Sequence, residues 1–255
     1  MTKAKWQKIV RKSHRYLGLF LGIQFLFWTI GGLYFSWTNI KNIRGEDIRK
    51  EPTTINKLKL GNSLNGILDE ISKTDSVYNL KSVQIATIFD TPYYQITFNN
   101  GKRIKTVLAN TSTNQIKFPI SKSEAILIAK NSLNIKANIK SVEYIVSTNG
   151  HHEYREKPLP AYAVSFDGDV NTTVYVSEEL GTIQTYRNNQ WRVFDFLWML
   201  HVMDYQNRDN INNWLLRLFS VIGLITIASG FLLFGLTQKI SRKQKKFFRE
   251  KISKF

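Results

Sequence analysis

The 255-residue chain contains no cysteine. That absence excludes disulfides, thiol nucleophiles, iron–sulfur clusters, Cys-type zinc sites, covalently attached c-type haem and lipoprotein anchoring. Acidic residues are also scarce: 19 Asp+Glu stand against 36 Lys+Arg, for a net charge of +17. An excess of that size first suggests nucleic acid, but its distribution argues otherwise. Residues 1–37 carry six basic and no acidic side chains, and residues 238–255 carry eight basic and one acidic. The long middle, 38–213, is close to balanced with 21 basic and 18 acidic. The charge belongs to two short tails, so no nucleic-acid partner is expected. Catalytic signatures are missing too: there is no phosphate-cradling glycine loop, no Gly-x-Ser-x-Gly elbow and no His-Glu-x-x-His.

Beside the basic tails lie the only two long uncharged apolar runs. Tyr16 to Trp37 is 22 residues without a charge, and Leu218 to Gln238 is uncharged with an apolar core ending near Leu236. At ~1.5 Å per residue each helix would reach roughly 30 Å, the thickness of bilayer hydrocarbon. Soluble helices are rarely apolar all round for so long. Lys3, Lys5, Lys8, Arg11, Lys12 and Arg15 precede the first run, and Lys239 to Lys254 follow the second. The positive-inside rule then puts both termini in the cytoplasm and residues 38–213 outside, with the bilayer itself as the first partner. Bulky Tyr34-Phe35-Ser36-Trp37 offers no small-x-small cleavage site, so the first run is expected to stay as an uncleaved anchor.

The segment between the spans repeats its grammar. Leu64, Ile67, Leu68 and Ile71 recur at helical spacing, and alternating runs follow at Ser82–Phe89, Tyr93–Phe98 and Arg103–Ala109, the last two joined by an Asn99-Asn100-Gly101 turn. The pattern restarts with a capping box, Ser121 and Glu124, ahead of a helix faced by Ala125, Ile128 and Ala129. Strand-like runs return at Lys140–Ser147, Ala161–Phe166, Thr172–Val176 and Thr182–Arg187. Tyr94–Phe98 overlays Tyr162–Phe166 at an offset of 68, which argues for duplicated helix-plus-sheet units. The expected architecture is an α+β membrane protein whose two transmembrane helices enclose a tandem ectodomain. Its parts are a basic tail (1–15), a first span (16–37), a linker (38–51), two units (52–120 and 121–189), an interfacial helix (190–206), a second span (214–237) and a second basic tail (238–255).

Four histidines carry what chemistry there is. His14 shares a helical stripe with Gly18 and Gly22 at i, i+4, i+8, and the glycines would let a second helix or a flat macrocycle come close. Imidazole is a good axial ligand for haem iron, but a polar residue in a basic collar is the plain alternative. His201 lies in the apolar run Phe196–Met203, where Asp204 could orient it as a carboxylate orients a ligating histidine. His151 and His152, with Glu153 and Glu156, form a candidate metal cluster in a Gly- and Pro-flanked loop, a kind of loop that is usually just exposed and polar.

The run His14-Arg15-Tyr16-Leu17-Gly18-Leu19 at the mouth of the first span resembles the PepSY-associated transmembrane family, whose usual form there is His-Arg-Trp-Leu-Gly; Tyr16 replaces the usual Trp. Tyr162–Phe166, Gly168, Val174-Tyr175-Val176 and Gly181 resemble the cadence of PepSY domains, and Trp198-Met-Leu-His201 resembles the family's Leu-His element. The resemblance implies two activities. Large members look like iron-regulated membrane proteins, including siderophore-iron reductases that hold b-type haem through membrane histidines. PepSY modules alone resemble protease propeptides that restrain extracytoplasmic peptidases. On the first reading His14 and His201 are axial ligands, with Gly18 and Gly22 allowing close approach, in a component of iron uptake that passes electrons to a ferric substrate outside. Since the first span separates the two rings, bis-histidine ligation would need a second copy at each level, at least a homodimer, and an electron donor such as the quinol pool. On the second, the chain is a non-catalytic module that engages a peptidase or other envelope partner.

Overall fold

The computed structural model describes residues 3–51, 64–74, 79–99, 104–117, 119–168 and 171–237. The second basic tail, most of the Asn99-Asn100-Gly101 turn, Asp169 and the 52–63 stretch of the first unit lie outside the described residues. The fold is α+β: two long apolar helices flank two antiparallel sheets with their helices. The chain divides into two compact units, one of Met1–Leu33 with Leu197–Phe255 and the other of Tyr34–Phe196.

In the first unit, helix α1 runs from Lys3 to Trp37 and helix α6 from Trp214 to Thr237. Helix α1 begins well before the expected span, because nothing in the basic collar breaks a helix. Among the half-buried and buried positions of α1, Val10, His14, Leu17, Leu21, Gln24 and Trp28 recur in steps of four and three. On α6, Phe219, Ile222, Thr226, Ser229, Leu233 and Leu236, again among its buried and half-buried positions, do the same. This is the 3.5-residue period of knobs-into-holes packing. Gln7 bonds the Leu236 carbonyl and the Phe20 and Phe219 rings lie 5.3 Å apart, so the helices run antiparallel. Their remaining faces, including Leu19, Phe20, Ile23, Leu224 and Phe231, are exposed, as lipid requires.

The second unit holds helix α2 (Ile40–Ile43), α3 (Leu64–Thr74) and strands β1 (Asn79–Ile88), β2 (Thr91–Asn99), β3 (Ile104–Asn110) and β4 (Ile116–Lys117). After it come α4 (Lys122–Asn131), β5 (Ile139–Ile145), β6 (Ala161–Phe166), β7 (Thr173–Ser177), β8 (Ile183–Arg187) and α5 (Asn189–Val202), whose last turn enters the first unit. Each sheet is a four-stranded meander, in the order β1-β2-β3-β4 and β5-β6-β7-β8. Duplication is visible in the irregularities as well. The first strand of each sheet slips register at its start, at Leu80/Ser82 opposite Phe98 and at Ile139/Ser141 opposite Phe166. Both phenylalanines are buried in the core of their own copy. The capping box of Ser121 and Glu124 is present on α4.

The copies meet at Gly181, which has φ +62 and whose missing Cβ would stand 2.6 Å from Ile88 Cδ1 and 2.9 Å from Leu108 Cδ1. Only glycine fits both the left-handed backbone and that approach. Residues 38–51, expected as a linker, form a packed strap: Ile48 joins the core of the second copy and Arg49 bridges to Leu133.

Candidate functional site

The histidines of the helical unit lie at two levels. His14 faces α6, with Nδ1 2.8 Å from Ser229 Oγ and 3.2 Å from the Thr226 carbonyl oxygen. Ser229 itself donates to that carbonyl at 2.7 Å. An apolar pocket of about 470 Å³ opens beside the ring, walled by Ile227, Gly230, Phe231 and Phe234. At the other level, the His201 ring stacks on Trp198 (centroids 6.2 Å apart, planes at 12°) and lies 6.1 Å from Trp28. These three, with Val202, Ile211 and Leu216, line a second apolar pocket of about 420 Å³. Trp28 stands fourteen residues beyond His14 on α1, roughly 21 Å along the helix axis. The structure does not bring His14 and His201 together.

Gly18 and Gly22 are not used against α6: a Cβ on either would meet nothing within 4 Å. The glycine that permits close approach at His14 is Gly230, where a Cβ would stand 3.1 Å from His14 Cε1. Sequence reasoning singled out the α1 glycines and passed over Gly230, whose partner lies 216 residues away.

The position of His201 is fixed by the end of α5. The last carbonyls of a helix lack partners within it. Here Gln24 Nε2 donates to Leu200, Trp28 Nε1 to His201 and Asn213 Nδ2 to Val202, each at 2.8 Å. Asn213 also caps α6, its Oδ1 accepting from Leu216 N at 2.8 Å. The helix stops at Val202, short of the expected 206, because Met203 turns left-handed (φ +56) and Asp204 folds the next loop. The Asp204 carboxylate accepts from the backbone N–H groups of Gln206, Asn207 and Asn210. Burial alone would raise its pKa, but those bonds, together with that of Asp209, hold it below the usual carboxylate range. Its geometry serves the turn, not the role of orienting His201 expected from sequence.

His151 and His152 belong to a loop that differs from the exposed segment expected of it. Tyr154 is fully buried and stacks on Tyr175 (4.8 Å, 11°), closing the second face of the β5–β8 sheet. Desolvation pushes the Tyr154 phenol up to about 12. His152 Nδ1 accepts from Tyr154 N at 3.0 Å, while His151 is exposed. Glu153 is held by the Arg192 guanidinium, and Arg155 pairs with Asp195 at 2.6 Å. Arg187 stacks 3.9 Å from the Trp191 ring, and desolvation, then the charge of Arg155, lower it to about 10. Among the described residues no three His, Cys, Asp or Glu side chains gather as metal ligands. The loop is a structural clamp between the sheet and α5.

Set against known proteins, residues 1–237 match the family model for the PepSY-associated TM region. No curated protein and no solved structure matches the chain.

Proposed function

Because the chain belongs to the PepSY-associated transmembrane family, a family of membrane proteins, we propose that it is a haem-b-binding redox or accessory component of iron uptake. In this reading His14 and His201 would each hold a haem, at two levels of the membrane, with both termini cytoplasmic and a ferric substrate outside as the electron acceptor. The observation that carries it is the pairing of pocket and ring: each of the two apolar pockets described in the helical unit is walled by one of these histidines and by aromatic side chains. The residues fit the group. A carbonyl cannot donate, so the closeness of Thr226 O favours a proton on His14 Nδ1, which would leave Nε2 a lone pair for a metal. Aromatic and aliphatic walls suit a flat apolar macrocycle. A haem at each level would supply a one-electron carrier. What the chain itself does is hold each ring, exclude water with Phe231, Phe234, Trp28 and Trp198, and keep the two levels at a fixed separation. A further residue to hold the group at each level would come from a second copy or a partner protein.

The visible spectrum of detergent-purified full-length protein tests this. A Soret band that falls in His14→Ala or His201→Ala supports the proposal. A colourless preparation from haem-replete cells overturns it. The second reading, a binding module for an envelope partner, rests on the outer strand β5, where Tyr144 and the adjoining Val146 are exposed.

A further inference from the structure

Ring nitrogen chemistry at His14 is decided by α6. Its Nδ1 faces two oxygens at once, Thr226 O and Ser229 Oγ. Ser229 Oγ lies 2.7 Å from Thr226 O, and with its proton given to that carbonyl it is an acceptor toward the ring. Both neighbours therefore ask for a proton on Nδ1. A neutral imidazole with its proton there has a bare Nε2, the form a metal or hydrogen-bond donor needs. Gly230 adds the steric half. With no Cβ it lets the ring edge lie against the α6 backbone, and a methyl there would press on Cε1 at 3.1 Å and stand 3.7 Å from both nitrogens. That wall belongs to the pocket of about 470 Å³.

We propose that Thr226 O, the Ser229 hydroxyl and Gly230 form a bracket that holds His14 as the Nδ1–H tautomer and presents Nε2 as the ligating atom of this pocket. Ser229 is a positioning residue that acts on a ligand only through His14, whereas Gly230 both bears on the ring and walls the pocket. The inference deepens the haem reading and rests on it for the identity of the ligand, but not for the tautomer. Partners of this kind around ligating histidines typically set affinity by about 10–100-fold. The His201 ring lies against the indoles of Trp198 and Trp28, so the two levels should respond to different substitutions.

The test uses full-length, haem-free protein carrying ring-15N histidine in nanodiscs, at about pH 9, where an ordinary imidazole is neutral. The His14 signal is assigned by its loss in His14→Gln. The expected result is a proton on Nδ1 in the wild type, a mixed or reversed population in Ser229→Ala, and recovery in Ser229→Thr. Haemin titration of the same samples should show about tenfold weaker uptake in Ser229→Ala and at least as large a loss in Gly230→Ala, with Ser229→Thr near wild type. Finding the proton on Nε2 in the wild type overturns the bracket, whether or not haemin binds. An Nδ1 proton that is indifferent to Ser229→Ala removes Ser229 from it. An Nδ1 proton without any haemin uptake leaves the bracket standing and sinks the haem reading alone.

Discussion

Gln24, in the middle of the first apolar helix, donates its side-chain amide to the carbonyl oxygen of Leu200 at 2.8 Å, 176 residues further along the chain. With Trp28 on the next carbonyl and Asn213 on the one after, it closes the C-terminal end of α5, the helix that carries His201. Gln24 is only 7% exposed. In hydrocarbon an unsatisfied carbonyl costs several kcal/mol, so these three side chains fix where α5 can sit.

Gln24→Leu should therefore destabilise the helical unit by about 1–3 kcal/mol although it adds apolar character to a membrane helix. Trp28→Phe should cost a similar amount by removing the bond while keeping an aromatic ring. The two losses should be non-additive, because both act on one helix end. Thermal unfolding of the full chain in detergent, read for both single variants and the double, checks this. A more stable Gln24→Leu protein would mean that the bond is dispensable.

Gly181→Ala should destabilise the ectodomain by roughly 2–5 kcal/mol. Left-handed backbone costs about 1–2 kcal/mol for a residue with a Cβ, and overpacking against Ile88 and Leu108 adds about 1–3. Gly168→Ala is the control: its φ of +138 is equally a glycine conformation, but a Cβ there meets nothing within 4 Å. Urea unfolding of both variants should give the larger shift in midpoint for Gly181→Ala.

These positions show what was legible beforehand. Helix α6 begins at Trp214, the Ser121–Glu124 capping box is in place, and β6 occupies the expected Ala161–Phe166, because periodicity and caps are local signals. The fold class followed from those elements. Gln24 and Gly230 stayed hidden because each acts on a segment distant in sequence. The loop of His151 and His152 misled for a related reason. Its polarity suggested solvent, whereas Glu153 and Arg155 are bound by Arg192 and Asp195, and Tyr154 seals a sheet face. Charges that are paired after folding look the same in sequence as charges that are solvated.

Asp195→Ala should cost about 3–5 kcal/mol, since Arg155 would be left charged in a site where the two side chains are only 9% and 5% exposed. Lys140→Ala should change stability by less than about 1 kcal/mol. Its 4.0 Å pair with Asp167 is more than half exposed, and solvent screens it. Chemical denaturation of the two variants separates the cases.

Asp204 predicts a pH dependence. Its folded pKa is depressed, so the charged form is favoured by folding. The contribution is therefore present above the ordinary carboxylate pKa of about 4 and is lost as pH falls through the lower folded value. Asp204→Asn should be less stable than wild type near neutral pH, and the gap should narrow as the medium is acidified below about pH 4. Thermal midpoints across that range measure it. A gap that stays constant would mean that shape, not charge, organises the 204–210 turn.

The orientation can be read directly because the chain has no native cysteine. Lys140→Cys, at an exposed position on β5, should react with a membrane-impermeant maleimide on intact spheroplasts. Lys5→Cys, at an exposed position near the start of α1, should react only after permeabilisation. The Lys/Arg bias around both helices demands that asymmetry, since positive flanking charge is retained on the cytoplasmic side. Labelling of Lys5→Cys on intact spheroplasts would place the His14 pocket in the outer leaflet. Electrons arriving from a cytoplasmic donor would then meet His201 first, reversing the order in which the proposed path passes the two levels.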